Sequence, residues 1–331
     1  MCKKNTFVKL KFKKMKKTLT VICFLLTIVL SKSYSQFSID NIEEIDQLKN
    51  ATTYIAMKEL DSDLAKDYIQ FYKDNWTFSE IKFITYSEIK DYLQPDNYFF
   101  SIGGYETTVQ TYNAKMAQGL NWSNTHLYLE LWTCSDKFFK NNKKKILKID
   151  DKKVIARIEL FTDFQTLMKP TNIYDTDYEG DAHIRNWGKG ILKNYIQYLM
   201  TSLEQKEKKD LYRFEPKSSE LENLKTNTLY VPDYVFIKFN KFTGDESKKH
   251  DEKDIFKDYS LKYEVLPTKE LNEKILNSSE PFYYLIYIKS STDKYVSVLN
   301  SKTGEIIYTS YTPVSYNIKS KDLKELEKKI K

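Results

Sequence analysis

"KDNWTFSEIKFITYSEIKDYLQPDNYFFSI", residues 73–102, and "FKDYSLKYEVLPTKELNEKILNSSEPFYYLIYI", residues 256–288, run through one succession of features. Each passes from an aromatic residue to an alternating strand, then to a short helix led by glutamate, a loop, and an aromatic-rich strand. Trp76 aligns with Tyr259, Glu88 with Glu270, and the pair Tyr98–Phe99 with Tyr283–Tyr284, with short gaps between. This pairing predicts an internal repeat, and the rest of the chain can be read outward from it.

Before the first copy, "TTYIAM" (52–57) has the β-branched and aromatic content of a strand. In "DSDLAKDYIQFYKDNW", Leu64, Tyr68, Ile69, Tyr72 and Trp76 recur at helical spacing, and Asp61 or Ser62 can cap the N-terminus. After it come the strands 125–134 and 153–163, separated by a polar, lysine-rich hairpin tip, and an amphipathic helix over 191–205. The second half repeats this order. An extended run (228–239) contains Pro232, which predicts an edge position or a bend. Strand 262–266 and helix 268–276, with Thr268 as its cap, follow. Strands 282–289, 294–300 and 305–311 and helix 320–330 close the chain. The fold expected is α+β: two similar β-α-β-α-β-β-β-α modules, 36–205 and 226–331, with mainly antiparallel sheets and a charged linker at 206–225.

The formal charge of +7 suggests an anionic polymer as partner, but the basicity is local. "MKKTLTVICFLLTIVLSKSYS" (15–35) has a positive start at Lys16 and Lys17, an apolar run from Leu19 to Leu30, and small residues at Ser33 and Ser35. That is the three-part pattern of a secretory signal peptide cleaved after Ser35, with Met15 as the expected true start. A run of twelve residues falls short of the roughly 20 that span a bilayer. Without residues 1–35 and their nine lysines, 44 basic and 46 acidic side chains remain, a net charge of −2. A mature charge so near zero argues against nucleic acid as a partner. Of three cysteines only Cys134 remains in the mature chain, so no internal disulfide is expected. Cys134 lies in an alternating strand and reads as a small, partly buried side chain.

The densest group of ionisable residues is "YDTDYEGDAHIRNW" (174–187). Counted from Asp175, oxygen ligands fall at positions 1, 3 and 5 and a glycine at 6, as in an EF-hand calcium loop. Position 12 is Asn186, which cannot supply the bidentate carboxylate, and Pro170 interrupts any entering helix. Two readings stay open. In one, Asp175, Asp177, Glu179 and Asp181 hold Ca²⁺ or a similar ion, the basis of a metal-dependent hydrolase or ligand-binding protein. In the other, the carboxylates sit ahead of the N-terminus of helix 191–205, each contributing roughly 0.3–1 kcal/mol there, with Arg185 or Lys189 as counter-charge. His183 has no visible nucleophile beside it for acid–base work. Phosphate loops, the nucleophile elbow and zinc-ligand spacings are all absent from the sequence. Gly103–Gly104 reads as a bulge or turn, Gly188–Gly190 as a flexible helix entry, and the lysine run 140–153 as a solvated tip.

The β-α-β-α-β-β-β-α order behind a signal peptide resembles the small α/β module of Gram-negative envelope proteins. Examples are the amino-terminal domain of TolB and the periplasmic domain of the curli secretion channel. The resemblance implies an exported, periplasmic or cell-envelope protein, secreted and without a transmembrane span in the mature chain. It further implies a non-enzymatic binding or assembly role toward an envelope partner, recognised through a sheet edge or groove. Trp122, Trp132, Trp187 and the strand "FYYLIYI" are read as core, with a glycan or peptide groove as the alternative. No cofactor other than Ca²⁺ is suggested.

Overall fold

The computed structural model describes residues 36–113, 118–141, 147–148, 151–162, 184–210, 218–240 and 245–331. The expected signal peptide (1–35) and the acidic loop carrying Asp175, Asp177, Glu179, Asp181 and His183 lie outside the described residues.

The strands are β1 (Phe37–Ile39), β2 (Thr52–Met57), β3 (Glu80–Thr85), β4 (Asn97–Asn113), β5 (Gln118–Cys134), β6 (Lys152–Leu160), β7 (Leu229–Pro232), β8 (Ile237–Lys238), β9 (Lys248–Lys249), β10 (Tyr263–Leu266), β11 (Tyr283–Ser290), β12 (Asp293–Asn300) and β13 (Ile306–Thr312). The α-helices are α1 (Ile45–Lys49), α2 (Asp63–Asn75), α3 (Asp136–Asn141), α4 (Lys189–Gln205), α5 (Ser218–Leu221), α6 (Glu252–Phe256), α7 (Thr268–Asn277) and α8 (Ser320–Ile330).

The strands build two mixed sheets, ordered β1-β6-β5-β4-β2-β3 and β10-β7-β11-β12-β13. In each sheet the strand next to one edge, β2 or β7, has parallel neighbours on both sides, and the sheet then continues with antiparallel pairing. In the first, Thr53 of β2 is in register with Ile81 and with Tyr98. In the second, Leu229 of β7 is in register with Tyr263 and with Tyr283. The alignment of Tyr98 with Tyr283 therefore places two residues at equivalent lattice points. The two halves share strand order, strand direction and register, and the fold is α+β with mostly antiparallel pairing.

Local physics accounts for most boundaries. Ser62 accepts the Ala65 N–H at 3.2 Å and starts α2, whose Tyr68, Phe71 and Tyr72 are buried. Several elements differ from expectation. Segment 87–94 is a 3₁₀ turn over Tyr86–Asp91, locked when Glu88 accepts both the backbone N–H and the hydroxyl of Thr85 at 2.7 and 2.8 Å. Of the two expectations for Pro232 the bend is the one found: Pro232 is the last residue of β7, an interior strand, and the chain bends into a 3₁₀ turn at Asp233. Thr268 does not cap its helix by itself; its N–H and hydroxyl both bond the Asp233 carboxylate, at 3.0 and 2.8 Å. The lysine-rich tip begins with α3, which inserts Phe138 under the outer face of the first sheet. The expected linker includes α5, with Leu221 and Leu224 fully buried.

β4 and β5 are longer than their alternation suggested. They remain paired from Phe99↔Trp132 out to Asn113↔Gln118, whereas β5 leaves β6 at Leu127↔Leu160. Gly103 and Gly104 are neither bulge nor turn but in-register strand residues opposite Tyr128 and Leu127. A Cβ on Gly103 would collide with the Tyr128 ring and crowd the Glu130 carboxylate, which explains the glycine.

One apolar core runs through both halves, from Phe37, Ile55 and Phe100 to Tyr284, Ile307 and Leu326. α4 closes the first half and lies against α7 of the second. Gly190 permits the approach, because a Cβ there would strike the Asn272 backbone. Gly304, at φ 72°, likewise abuts the Asn194 backbone. Gly190 is thus a contact glycine rather than a flexible entry. Two buried asparagines, Asn272 and Asn194, satisfy polar groups across this seam, and a third, Asn186, does so within the first half beside it. Asn272 accepts the Ile191 N–H at 2.9 Å and donates to the Trp187 carbonyl at 3.2 Å. Asn194 accepts the Tyr284 hydroxyl and donates to the Ser301 carbonyl, both at 2.9 Å. Asn186 accepts the Phe161 N–H at 2.7 Å and donates to the Tyr195 hydroxyl at 2.8 Å. Buried amides so fully bonded fix the relative register of packed elements, since any slip leaves a polar group unmatched. Among the described residues, no helix is long and apolar enough to cross a membrane.

Candidate functional site

A cavity of about 420 Å³ opens in the second half, between the short β8–β9 ladder and the loop that joins β13 to α8. Its walls carry Lys238, Phe239, Lys248, Tyr316, Asn317 and Lys319. This is within the range of sites that hold small molecules.

The loop is held in place from several sides. The Asn317 amide bonds both backbone groups of Phe239, accepting its N–H at 2.8 Å and donating to its carbonyl at 2.9 Å. The Tyr287 hydroxyl donates to the Tyr316 carbonyl at 2.7 Å, and the Ser315 N–H reaches the Thr292 carbonyl at 2.9 Å. Beneath, the Lys294 ammonium donates to the Asn317 carbonyl at 3.1 Å and pairs with Asp322 at 2.5 Å. Asp322 in turn accepts the Lys319 N–H at 2.7 Å, at the start of α8. Burial pushes the Lys294 ammonium below its ordinary value, opposed by Asp322.

The aromatic wall is a column. Lys289 sits 3.4 Å from the Phe239 ring centroid, and Phe239 stacks on Tyr316 at 5.5 Å and 29°. Glu246 neutralises Lys289 at 3.0 Å and also faces Arg185 at 3.5 Å. At the rim, Val314 is 75% exposed and holds φ at 51°. A β-branched residue in the left-handed region is strained by about 1–3 kcal/mol, and such strain concentrates at functional loops.

The wall lysines differ from those beneath. Among the described residues, Lys238, Lys248 and Lys319 form no ion pair, whereas the buried Lys289 and Lys294 each have a carboxylate. Asp245 also lines the cavity, but its oxygens accept the N–H and hydroxyl of Ser247, both at 2.9 Å. Those two bonds hold its carboxyl below the usual range, with Lys248 adding to the effect. The cavity is therefore cationic on its walls and aromatic on one side.

A second polar cluster lies where β11 meets the first sheet. The Arg157 guanidinium pairs with Glu159 at 2.6 Å and stacks 3.8 Å from the Tyr128 ring centroid. The Ser290 hydroxyl donates to Glu159 at 2.7 Å, with His126 Nδ1 at 3.4 Å from the same oxygen. Burial pushes the Glu159 carboxyl up, offset by Arg157 and Ser290. Burial and the neighbouring Arg157 push the His126 imidazole down to about 4. Serine, histidine and glutamate together have the composition of a hydrolase triad, but the order is wrong. A triad places the imidazole between hydroxyl and carboxylate; here the hydroxyl already donates to the carboxylate, and Ser290 is buried. The arrangement is a satisfied polar seam. It reaches the cavity rim through Asp293, which accepts the Tyr311 hydroxyl at 2.7 Å and the Val314 N–H at 3.4 Å.

The described residues leave the sequence-based metal site untested. The acidic loop is outside the described residues, and among those described no three His, Cys, Asp or Glu side chains are grouped to hold a metal. Trp132 and Trp187 are buried, and "FYYLIYI" packs in the core. Cys134 is buried, and its thiol is pushed up to about 12 chiefly by that burial. Of the lysine run, Lys152 pairs with Glu130 and Lys153 with Glu44. No sequence signal marks the cavity residues, because Lys238, Lys248 and Lys319 are spread over some eighty positions and share no spacing. The strain at Val314 has no sequence signal either.

No family model matches the chain, and no curated protein or solved structure matches it.

Proposed function

We propose that this protein is an exported, non-enzymatic binding module of the cell envelope, and that it holds its ligand in the cavity between β8–β9 and the 312–319 loop. The observation that carries the reading is the contrast between wall and floor. Among the described residues the three lysines on the cavity wall form no ion pair, while the loop bearing one of them is fixed by bonds from Asn317, Tyr287, Thr292 and Lys294. A preformed, rigid cavity with uncompensated charge suits recognition, since a site built before binding loses little entropy on closing around its ligand. Chemistry would need an accessible nucleophile beside a base. The one Ser–His–Glu group described is buried and internally satisfied. Export is supported by the signal-like residues 15–35, and the groove takes the role expected of an envelope-type module.

Thermal unfolding of the full chain in the presence of a small-metabolite library tests the cavity. A component at a hundred times its Kd adds roughly 2.7 kcal/mol. Asn240 also lines the cavity, and the shift is expected to disappear in Asn240→Trp, whose indole takes up part of its volume. A library with no active component, or a shift that survives Asn240→Trp, refutes the site. Cell fractionation tests export: retention of the tagged chain in the cytoplasm refutes it.

A further inference from the structure

The geometry points to a small oxyanion ligand, a carboxylate or phosphate carried on a planar or apolar ring, with its charge among Lys238, Lys248 and Lys319 and its ring against Tyr316. The inference rests on the binding reading above and adds the chemical class of the ligand.

Charge is the first ground. Some lysines elsewhere in the fold pair with carboxylates, as Lys189 does with Asp67 and Lys206 with Asp46, and others stand on the surface without one. What distinguishes Lys238, Lys248 and Lys319 is that, with no ion pair among the described residues, all three line one cavity. The one acid among the lining residues, Asp245, is engaged with the N–H and hydroxyl of Ser247. It repels an anion on its own side, so the charge of the ligand belongs nearer Lys238 and Lys319. The floor adds no free charge, because Glu246 and Asp322 neutralise Lys289 and Lys294. The three lysines are exposed; like charges brought around one cavity repel one another, and an anion placed among them relieves that repulsion.

Shape is the second ground. Phe239 is covered on both sides, by Lys289 at 3.4 Å and by Tyr316 at 5.5 Å, so it cannot itself stack on a ligand. It serves to hold the half-buried Tyr316 in place as the last ring of the column. An aromatic face at the wall favours a planar or apolar body. A volume of about 420 Å³ suits a single ring with its acid group rather than a polymer. The Asn317 amide is spent on the Phe239 backbone, which leaves the lysines as the principal polar contacts available.

Calorimetric titration of the full chain with phenyl phosphate, benzoate, inorganic phosphate and benzyl alcohol tests the inference. Binding of phenyl phosphate or benzoate is expected, at least tenfold tighter than inorganic phosphate, with benzyl alcohol weaker by a similar factor. The relative affinity of the two aryl anions identifies the acid group. The triple variant Lys238→Gln, Lys248→Gln, Lys319→Gln is expected to lose at least tenfold in affinity with an unchanged melting temperature, and the triple arginine variant to retain binding. Tyr316→Leu is expected to remove the preference for aryl over inorganic phosphate. Benzyl alcohol binding as well as the anions, or anion binding unaffected by the triple glutamine variant, overturns the oxyanion assignment. If a library component still binds and Asn240→Trp abolishes it, the binding reading survives that failure. If no probe and no library component binds, both fall.

Discussion

The side-chain oxygen of Asn272 accepts the backbone N–H of Ile191 at 2.9 Å, so a residue from the second half closes the N-terminus of the helix that ends the first. The same amide donates to the carbonyls of Trp187 and Thr268 at 3.2 and 2.9 Å. Replacing it by leucine leaves the buried Ile191 N–H without this partner, at a cost of about 1–3 kcal/mol, and takes one bond from each of the two carbonyls, at a smaller cost. We expect Asn272→Leu to lower unfolding stability by roughly 2–4 kcal/mol in a urea titration, with a single transition retained. Two separated transitions would show that the halves unfold independently.

Gly190 offers a test in which local and tertiary effects have opposite signs. It lies within α4, where alanine is favoured over glycine by about 0.8–1 kcal/mol. A Cβ at that point strikes the Asn272 backbone, which no rotamer change can relieve. Gly190→Ala is therefore expected to destabilise, by about 1–3 kcal/mol as for an overpacked core. A stabilised variant, measured by the same titration, would mean that the two helices are not in close contact.

The sequence shows the likeness of the two halves because both depend on local chemistry: alternation in the strands, glutamate at the start of a helical turn, and aromatic residues where β4 and β11 pair with β2 and β7. Tyr98 and Tyr283 could be matched by eye for that reason. The seam between halves was not legible. Gly190, Asn194, Asn272 and Gly304 act only once two distant surfaces meet, and each looks unremarkable in its own segment. The cavity shares that property, since Lys238, Lys248 and Lys319 converge through topology rather than spacing. The acidic loop shows the converse. Asp175, Asp177, Glu179 and Asp181 are conspicuous as a pattern, and the calcium reading stands on that pattern alone.

Cys134 should be chemically silent. Its thiol is buried on the outer face of the first sheet, and burial holds its pKa up at about 12. The reactive species is the thiolate, which is scarce at neutral pH for such a group. With native protein at pH 8, a chromogenic disulfide reagent is expected to label Cys134 at least a hundredfold more slowly than in 6 M guanidinium. Comparable rates in both conditions would contradict the burial.

The pH dependence of stability follows from the polar seam beside β11. His126 is faced by Arg157, Glu159, Ser290 and Asp293. Its imidazole titrates near 6.5 in the unfolded chain and near 4 in the folded one, because burial and Arg157 disfavour the cation. Between those values the unfolded chain binds a proton that the folded chain does not, so stability is lost as pH falls from about 6.5 toward 4. Glu159 acts in the opposite sense. Its carboxyl is raised in the fold, so the folded chain takes up a proton first as the pH falls toward the ordinary carboxylate range. That contribution is present at low pH and lost as pH rises. His126→Gln removes the first term and leaves the second. Melting temperatures between pH 7 and 5 should therefore fall less in the variant than in the parent. The difference is expected to be on the order of a few degrees, about what 1 kcal/mol gives in a chain of this size, because His126 is only partly buried and solvent screens part of its shift. Identical pH profiles for variant and parent would remove His126 from the account of acid lability.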